Sequence, residues 1–247
     1  MADSAGIQSL DSALRVLEAM AQANAPLSLS DLARRVDMPA SKVHRYLASF
    51  VNAGLVAQAG KSGKYDLGPG AIALGLSAMA RLDFVNRTAD ALPDLCAETN
   101  LTAMLSIWGN FGPTIIRWER AAGFIVTTLG LGTTMPLLGS ATGRTFLTWA
   151  QPNVIAAKLA EECDAQPSLD ARSIAAQVRD DGYAWVSGDL IPGLAAISAP
   201  VLNWQGEVEA AVTLIGTDVS IAEPDSAPVT ALKAFCARLS QPAPTPA

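Results

Sequence analysis

Between Leu27 and Val56 the apolar positions form two short helical sets, LSLSDLARRV and ASKVHRYLASFVNAGLV, divided by Asp37-Met38-Pro39. Spacings of three and four place such positions on one helix face. An earlier run, Ile7 to Ala23, sets Leu10, Leu14, Leu17 and Ala21 at that spacing, and Pro26 closes it. Ser28 or Ser30 suits the cap of a helix over Asp31–Val36, because either hydroxyl can accept from an exposed helix-start amide. Pro39 fits a first helical position, where its missing N–H costs nothing. A third helix then runs over Ala40–Asn52 and ends at Gly54. After it, LVAQAGKSGKYDLG alternates about a Gly/Lys tip, the mark of a β-hairpin. Three helices and a hairpin predict a winged helix-turn-helix over residues 1–68.

Residues 69–92 are Ala/Leu-rich with helical spacing and predict a linker helix, and Pro93 starts or kinks into another helix through Thr99. From Leu101 the pattern changes. LTAMLSIWG, GPTIIRWERA and FIVTTLGLG read as strands, and SATGRTFLTWAQ, NVIAAKLAEECDA and SLDARSIAAQVRDDG as helices. GLAAISAPVLN and EVEAAVTLIGT are strands around an Asn203–Glu207 turn, and PVTALKAFCARLS is a last helix. This order predicts an α+β domain with a mostly antiparallel sheet over residues 93–240. The Pro/Ala-rich tail, 241–247, reads as disordered.

Composition sharpens the picture at three points. First, 247 residues that are 50% hydrophobic suffice for two cores. Second, the net charge of -6 divides unevenly. Residues 1–80 hold seven Lys/Arg against six Asp/Glu, and residues 81–247 hold ten against seventeen. The acidic excess lies outside the helix-turn-helix, and the total argues against a protein that coats nucleic acid non-specifically. Third, Cys96, Cys163 and Cys236 are scattered with no CxxC, which suggests free thiols rather than a disulfide frame or zinc site. The start of the chain lacks a signal-peptide pattern, and no apolar run reaches the ~18 residues of a membrane span. A soluble cytoplasmic protein with no membrane partner is expected.

The second helix of such a module sets its first side chains against DNA in the major groove. Ser41, Lys42, His44 and Arg45 occupy that place, and Ser41, His44 and Arg45 share a face. Arg45 suits guanine O6 and N7 together, Ser41 a base or a phosphate, and Lys42 a phosphate. Lys61 and Lys64 at the wing tip suit the DNA backbone or the minor groove. His44 can instead buttress its own helix. Arg34 and Arg35 read as solvated charges, one of them within reach of a phosphate.

Catalytic signatures are missing. The chain's one histidine is His44, so the second domain has no Ser-His-Asp or Cys-His system of its own. No nucleophile elbow, phosphate loop, zinc-protease motif or dinucleotide fingerprint is present, so no cofactor is expected. Asp180-Asp181 reads as a solvated helix end. An enzymatic domain fused to a DNA-binding head, and a structural dimerisation protein, stand as alternatives to a regulator.

Five segments together resemble the IclR family of bacterial transcription regulators. They are IQSLDSALRVLEAM, LSDLARRVDMPASKVHRYLASFVNAGLV, YDLGPGAIALG, GTTMPLLGSATGRTFLTW and VRDDGYAWVSGDLIPGLAAISAPVLNWQGEVEAAVTLIG. Their order and spacing cover nearly the whole length. The resemblance implies a dimer or tetramer that binds double-stranded operator DNA, with a GAF-like C-terminal domain that binds a small organic acid or aromatic effector. Repression of a catabolic operon, relieved by the ligand, is the expected mode, with activation left open. Two positions depart from the family: Asp189 where Glu is frequent, and Arg144 where Lys is usual.

Within the second domain, Ser140-Ala141-Thr142-Gly143 precedes a helix expected over Arg144–Ala150, and its amides suit a carboxylate. Ser140 or Thr142 can equally cap that helix. The resemblance implies that the effector sits against this turn. By motif position Met135, Ala141, Thr142, Leu194, Ala196, Thr213 and Ile215 then line the site, with Phe124 and Thr127 as wall residues on a preceding strand. Asp189 either accepts from the ligand or ties down its own Gly188–Gly193 loop. Trp108, Trp118 and Trp185 either stack on an aromatic ligand or pack in the core. Arg117 and Arg120 are expected on a solvent or interface face.

Overall fold

The helical and strand patterns resolve into two units, Met1–Leu82 and Asp83–Ala247. The computed structural model describes residues 7–23, 25–58, 63–79, 83–121, 129–188 and 190–240.

In the first unit, helices α1 (Gln8–Ala21), α2 (Leu29–Arg35) and α3 (Ala40–Asn52) precede an antiparallel hairpin of β1 (Val56–Gln58) and β2 (Tyr65–Leu67). The winged helix-turn-helix reading holds. Ser28 caps α2 by accepting from the Asp31 amide at 3.2 Å, while its hydroxyl donates to Asp31 Oδ2 at 2.7 Å. The turn into α3 is made by Asp37 at φ 50, a left-handed conformation that Asp tolerates better than bulkier residues. Pro39 is the cap residue of α3 rather than its first helical residue. Val16, Leu32, Val43 and Leu47, none of them exposed, are the centre of this core.

The helix expected from Ile7 is present as α1. Its buried face is Ala13, Val16 and Met20, whereas Leu10 and Leu14 are 51% and 44% exposed. The helix carries two apolar stripes, and of the second Leu17 packs partly on the core while Leu10 and Leu14 face outward.

The expected linker stretch 69–92 is helical over α4 (Pro69–Met79) and again from the start of α5 (Asp83–Thr99), which holds Pro93 within it. Gly68 and Gly70 seat the start of α4 on the α3–β1 turn. A Cβ at Gly68 would lie 2.4 Å from the Gly54 carbonyl oxygen, and the Gly70 amide donates to that oxygen.

In the second unit, β3 (Thr102–Gly109), β4 (Gly112–Glu119), β5 (Ala184–Ser187), β6 (Ala195–Leu202) and β7 (Val208–Gly216) form one sheet in the order β4-β3-β7-β6-β5. Every pairing is antiparallel. Strand β5 was not foreseen, because YAWVS is short and its alternation is slight. Helix α6 (Ala141–Trp149) packs on β6 and β7, with α7 (Pro152–Ala165) and α8 (Ala171–Asp181) completing that layer. By alternation along the strands, Leu105, Ile197 and Leu214 point to the opposite face. They are fully buried, and α5 and α9 (Ala227–Leu239) pack on the sheet from that side. The α+β expectation holds. The expected strand FIVTTLGLG lies outside the described residues over 124–128 and is irregular backbone over 129–132, and the tail lies outside the described residues. No helix among the described residues is long and apolar enough to cross a membrane.

Candidate functional site

Two surfaces carry recognition chemistry, one in each unit. On α3 the buried positions Val43, Leu47 and Phe50 fix the helix against its core. That leaves Ser41, Lys42, His44 and Arg45 exposed together. No acidic side chain stands in the first turn of this helix. The Lys42 ammonium lies 5.8 Å from the Tyr46 ring centroid, which orients it along the helix. Arg34 is held by Asp31 at 2.6 Å, whereas Arg35 is exposed on the same short helix. Lys64 is exposed at the base of the wing, and Lys61 lies outside the described residues.

The second surface is a cavity of about 30 Å³ at the start of α6. Helix α6 begins at Ala141, three residues before the expected Arg144, because tertiary contacts override the weak helix propensity of Thr142 and Gly143. Ser140 is the cap: its Oγ accepts from the Gly143 amide at 2.9 Å and donates to the Pro136 carbonyl at 2.6 Å. A Cβ on Gly143 would lie 1.9 Å from that same carbonyl oxygen, so only glycine fits the third position of the helix. Glu162 on α7 secures the loop before the cap. Its two oxygens accept from the Leu137 and Leu138 amides at 2.8 and 2.9 Å, inside the protein. Arg144 closes the other side, donating to the Leu138 and Trp185 carbonyls. After Ser140 has taken the Gly143 amide, the Ala141 and Thr142 amides have no acceptor among the described residues.

Of the residues expected to line an effector site, Met135, Ala141, Thr142, Leu194, Ala196, Thr213 and Ile215 all border this cavity. They come from segments up to 80 positions apart, joined by β6–β7 pairing and by the seat of α6 on those strands. Phe124, Thr127 and Asp189 lie outside the described residues. Sequence reasoning missed Met104, Leu129, Val186, Leu190 and Ile191, which complete the described wall. Met104 was within reach of it, since β3 pairs Met104 with Thr213 and the two share a face. The three tryptophans do not border the cavity: Trp108 packs on Phe146, Trp118 against the Met104 cluster, and Trp185 is 40% exposed. Arg117 is half-buried on β4 and Arg120 exposed just beyond it.

The wall is apolar apart from the hydroxyls of Ser140, Thr142 and Thr213, and no titratable side chain stands among its described residues. Room for about one or two waters is far below the roughly 150 Å³ that a benzene-sized guest occupies. The described wall has to widen to hold an organic ligand within it. Met104 and Met135 are the adaptable side chains there.

Comparison with known proteins bears on both surfaces. The IclR helix-turn-helix domain matches residues 9–60, and the bacterial transcriptional regulator IclR C-terminal domain matches residues 76–241. The chain is 28% identical over 228 residues to the HTH-type transcriptional regulator BhcR of Paracoccus denitrificans strain Pd 1222, covering 90% of this chain and 81% of that protein. It is 27% identical over 221 residues to the DNA-binding transcriptional repressor YiaJ of Escherichia coli K12, covering 85% and 78%. The crystal structure of Pseudomonas aeruginosa HmgR superposes with a TM-score of 0.74 at 34% identity, over 95% of this chain and 98% of that one. With both family domains matched in order along one chain, this protein belongs to the IclR family of bacterial transcriptional regulators.

Proposed function

We propose that the chain is a ligand-responsive repressor that binds a pseudo-palindromic operator as a dimer and leaves it when a small organic acid enters the α6 cavity. The observation that carries this reading is the pairing, in one chain, of an exposed Ser-Lys-x-His-Arg face on α3 with an apolar cavity at a helix start. Arg45 takes a guanine, Ser41 and His44 reach bases or phosphates, and Lys42, Lys61 and Lys64 hold the backbone. In the cavity the Ala141 and Thr142 amides suit the carboxylate, and the aliphatic wall suits the rest of the molecule.

Dimerisation is supported by apolar surface that the first unit leaves uncovered. Ile72, Leu74 and Leu76 on α4 are about 60% exposed, and Leu10 and Leu14 add a second stripe on α1. Exposed apolar groupings of this kind mark association surfaces. The ligand acts by preferring one arrangement of the dimer, and it can shift DNA affinity by no more than that preference. No catalytic step is assigned, since the described wall offers hydroxyls without a base.

Fluorescence anisotropy with the duplex upstream of the chain's own gene tests the reading at physiological salt. A preference of about a thousandfold over a scrambled duplex is expected. Equal weak binding to both overturns the operator assignment. Retention of the duplex in the presence of every organic acid that binds the protein overturns the release mechanism.

A further inference from the structure

Three buried hydroxyls stand in a row at the cavity. Thr142 Oγ1 lies 2.8 Å from Thr213 Oγ1, and Thr213 Oγ1 donates to Ser198 Oγ at 3.0 Å. Ser198 is fully buried, and Thr142 and Thr213 are each 1% exposed. A hydroxyl owns one hydrogen. Thr213 commits its hydrogen to Ser198, so its contact with Thr142 is a hydrogen bond only when Thr142 is the donor. The row runs one way, from Thr142 to Thr213 to Ser198. Thr142 and Thr213 border the cavity and Ser198 does not. What the row offers a ligand is therefore oxygen lone pairs with no hydrogen left over.

The other side chains of the described wall do not change this, and the Ala141 and Thr142 amides, which do donate, are taken by the carboxylate. Ser140 has given its hydrogen to the Pro136 carbonyl, and the other lining side chains are apolar. We infer that the cavity selects a hydroxylated organic acid, whose own O–H donates to Thr142 Oγ1, over the matching deoxy or keto acid. The inference rests on the effector reading proposed above and gives that effector its class. A keto oxygen in the same place meets a lone pair with a lone pair. A C–H there leaves the threonine oxygen facing a group that cannot donate. Sites built to pair with a ligand's hydroxyl reject analogues that lack it, because their own buried polar group is left without a partner. The Thr213–Ser198 pair is the specificity device. It holds the Thr142 hydrogen away from the ligand, and a lone threonine, free to rotate, would serve a donor or an acceptor equally.

The test is isothermal titration of the full chain with matched probes: benzoate against its three monohydroxy isomers, and mandelate against benzoylformate and phenylacetate. At least one hydroxylated probe is expected to bind about tenfold or more tightly than its deoxy or keto counterpart. Thr142→Val should remove that preference and Thr142→Ser should keep it, with thermal melting and ligand-free operator affinity reporting that each variant is folded. Thr213→Val releases the Thr142 hydrogen, so benzoylformate should gain on mandelate. Matched probes of equal affinity, or a preference that survives in folded Thr142→Val, would overturn the inference while the effector site stands. Failure of every probe to bind, with operator binding intact, would overturn the organic-acid reading and this inference with it.

Discussion

The two helix starts proposed to carry recognition are built in opposite ways. Helix α3 has no side-chain cap, and its first-turn polar side chains stand in water. Helix α6 is capped by Ser140, and Ala141, Thr142, Gly143 and Thr145 are all buried. A surface that meets a polyanion can leave its charges hydrated until contact, so its side chains carry little of the fold. A pocket within a core must satisfy each polar group from inside, because a buried donor or acceptor without a partner is costly. Binding and stability are separable at α3 and joined at α6. Substitutions test that division directly.

The largest effect is expected at Gly143. Alanine there drives a methyl group into the Pro136 carbonyl, which is held in turn by the Ser140 hydroxyl. Backbone has to shift, and a cost of about 3 kcal/mol or more is expected. Urea unfolding followed in the second unit measures it, and a loss under 1 kcal/mol would mean that the α6 start yields easily. Next comes Glu162→Gln. The amide keeps one acceptor and presents an NH₂ to the other loop N–H, so both bonds lose the carboxylate's charge, one is lost outright, and a donor faces a donor. A loss of about 2–3 kcal/mol is expected. Effector binding should weaken as well, because the Leu137–Leu138 loop no longer holds the cap.

At α3 the same scale of energy should appear in binding alone. Arg45→Ala is expected to cost roughly 1–3 kcal/mol at the operator and to relax specificity at one base pair. The melting temperature should not move, since the side chain is exposed. Lys42→Ala should weaken all duplexes alike and reduce the salt dependence by about one ion. If either substitution lowers thermal stability as much as operator affinity, the separation drawn between the two helix starts is wrong.

What could be read in the sequence follows the same division. The α3 face was legible because an exposed recognition helix is a local pattern: buried positions at regular spacing imply the outward ones between them. Much of the cavity wall was placed from motif position, yet its polar architecture was not. Glu161 and Glu162 are alike in sequence, and only the return of the 137–138 loop makes the second a buried clamp. The start of α6 was set three residues late because the close approach that demands Gly143 is made by chain seven residues earlier, invisible to local propensity. On α1 the spacing of Leu10, Leu14 and Leu17 marked the helix, yet Ala13, Val16 and Met20 obey helical spacing as well and are the buried set. Spacing locates a face without saying what covers it.

The smallest effect belongs to the cap of α2, which supports α3 from outside both recognition surfaces. Ser28→Ala removes the acceptor for the Asp31 amide and should cost about 1 kcal/mol of stability. The same hydroxyl, followed by Arg34, holds the Asp31 carboxyl below its ordinary 3.8. A depressed folded-state value means that the ionised carboxyl stabilises the fold above the unfolded value, and that this contribution fades as pH falls through the folded one. The difference between wild type and Ser28→Ala should therefore be constant near neutrality and shrink only below about pH 3.8. Arg34 is well exposed where it pairs with Asp31, so salt should diminish the Arg34 share while leaving the hydroxyl share in place. A wild-type advantage that instead decays between pH 7 and 5 would assign the effect to another group, because the Asp31 carboxyl, held below 3.8, does not titrate in that window.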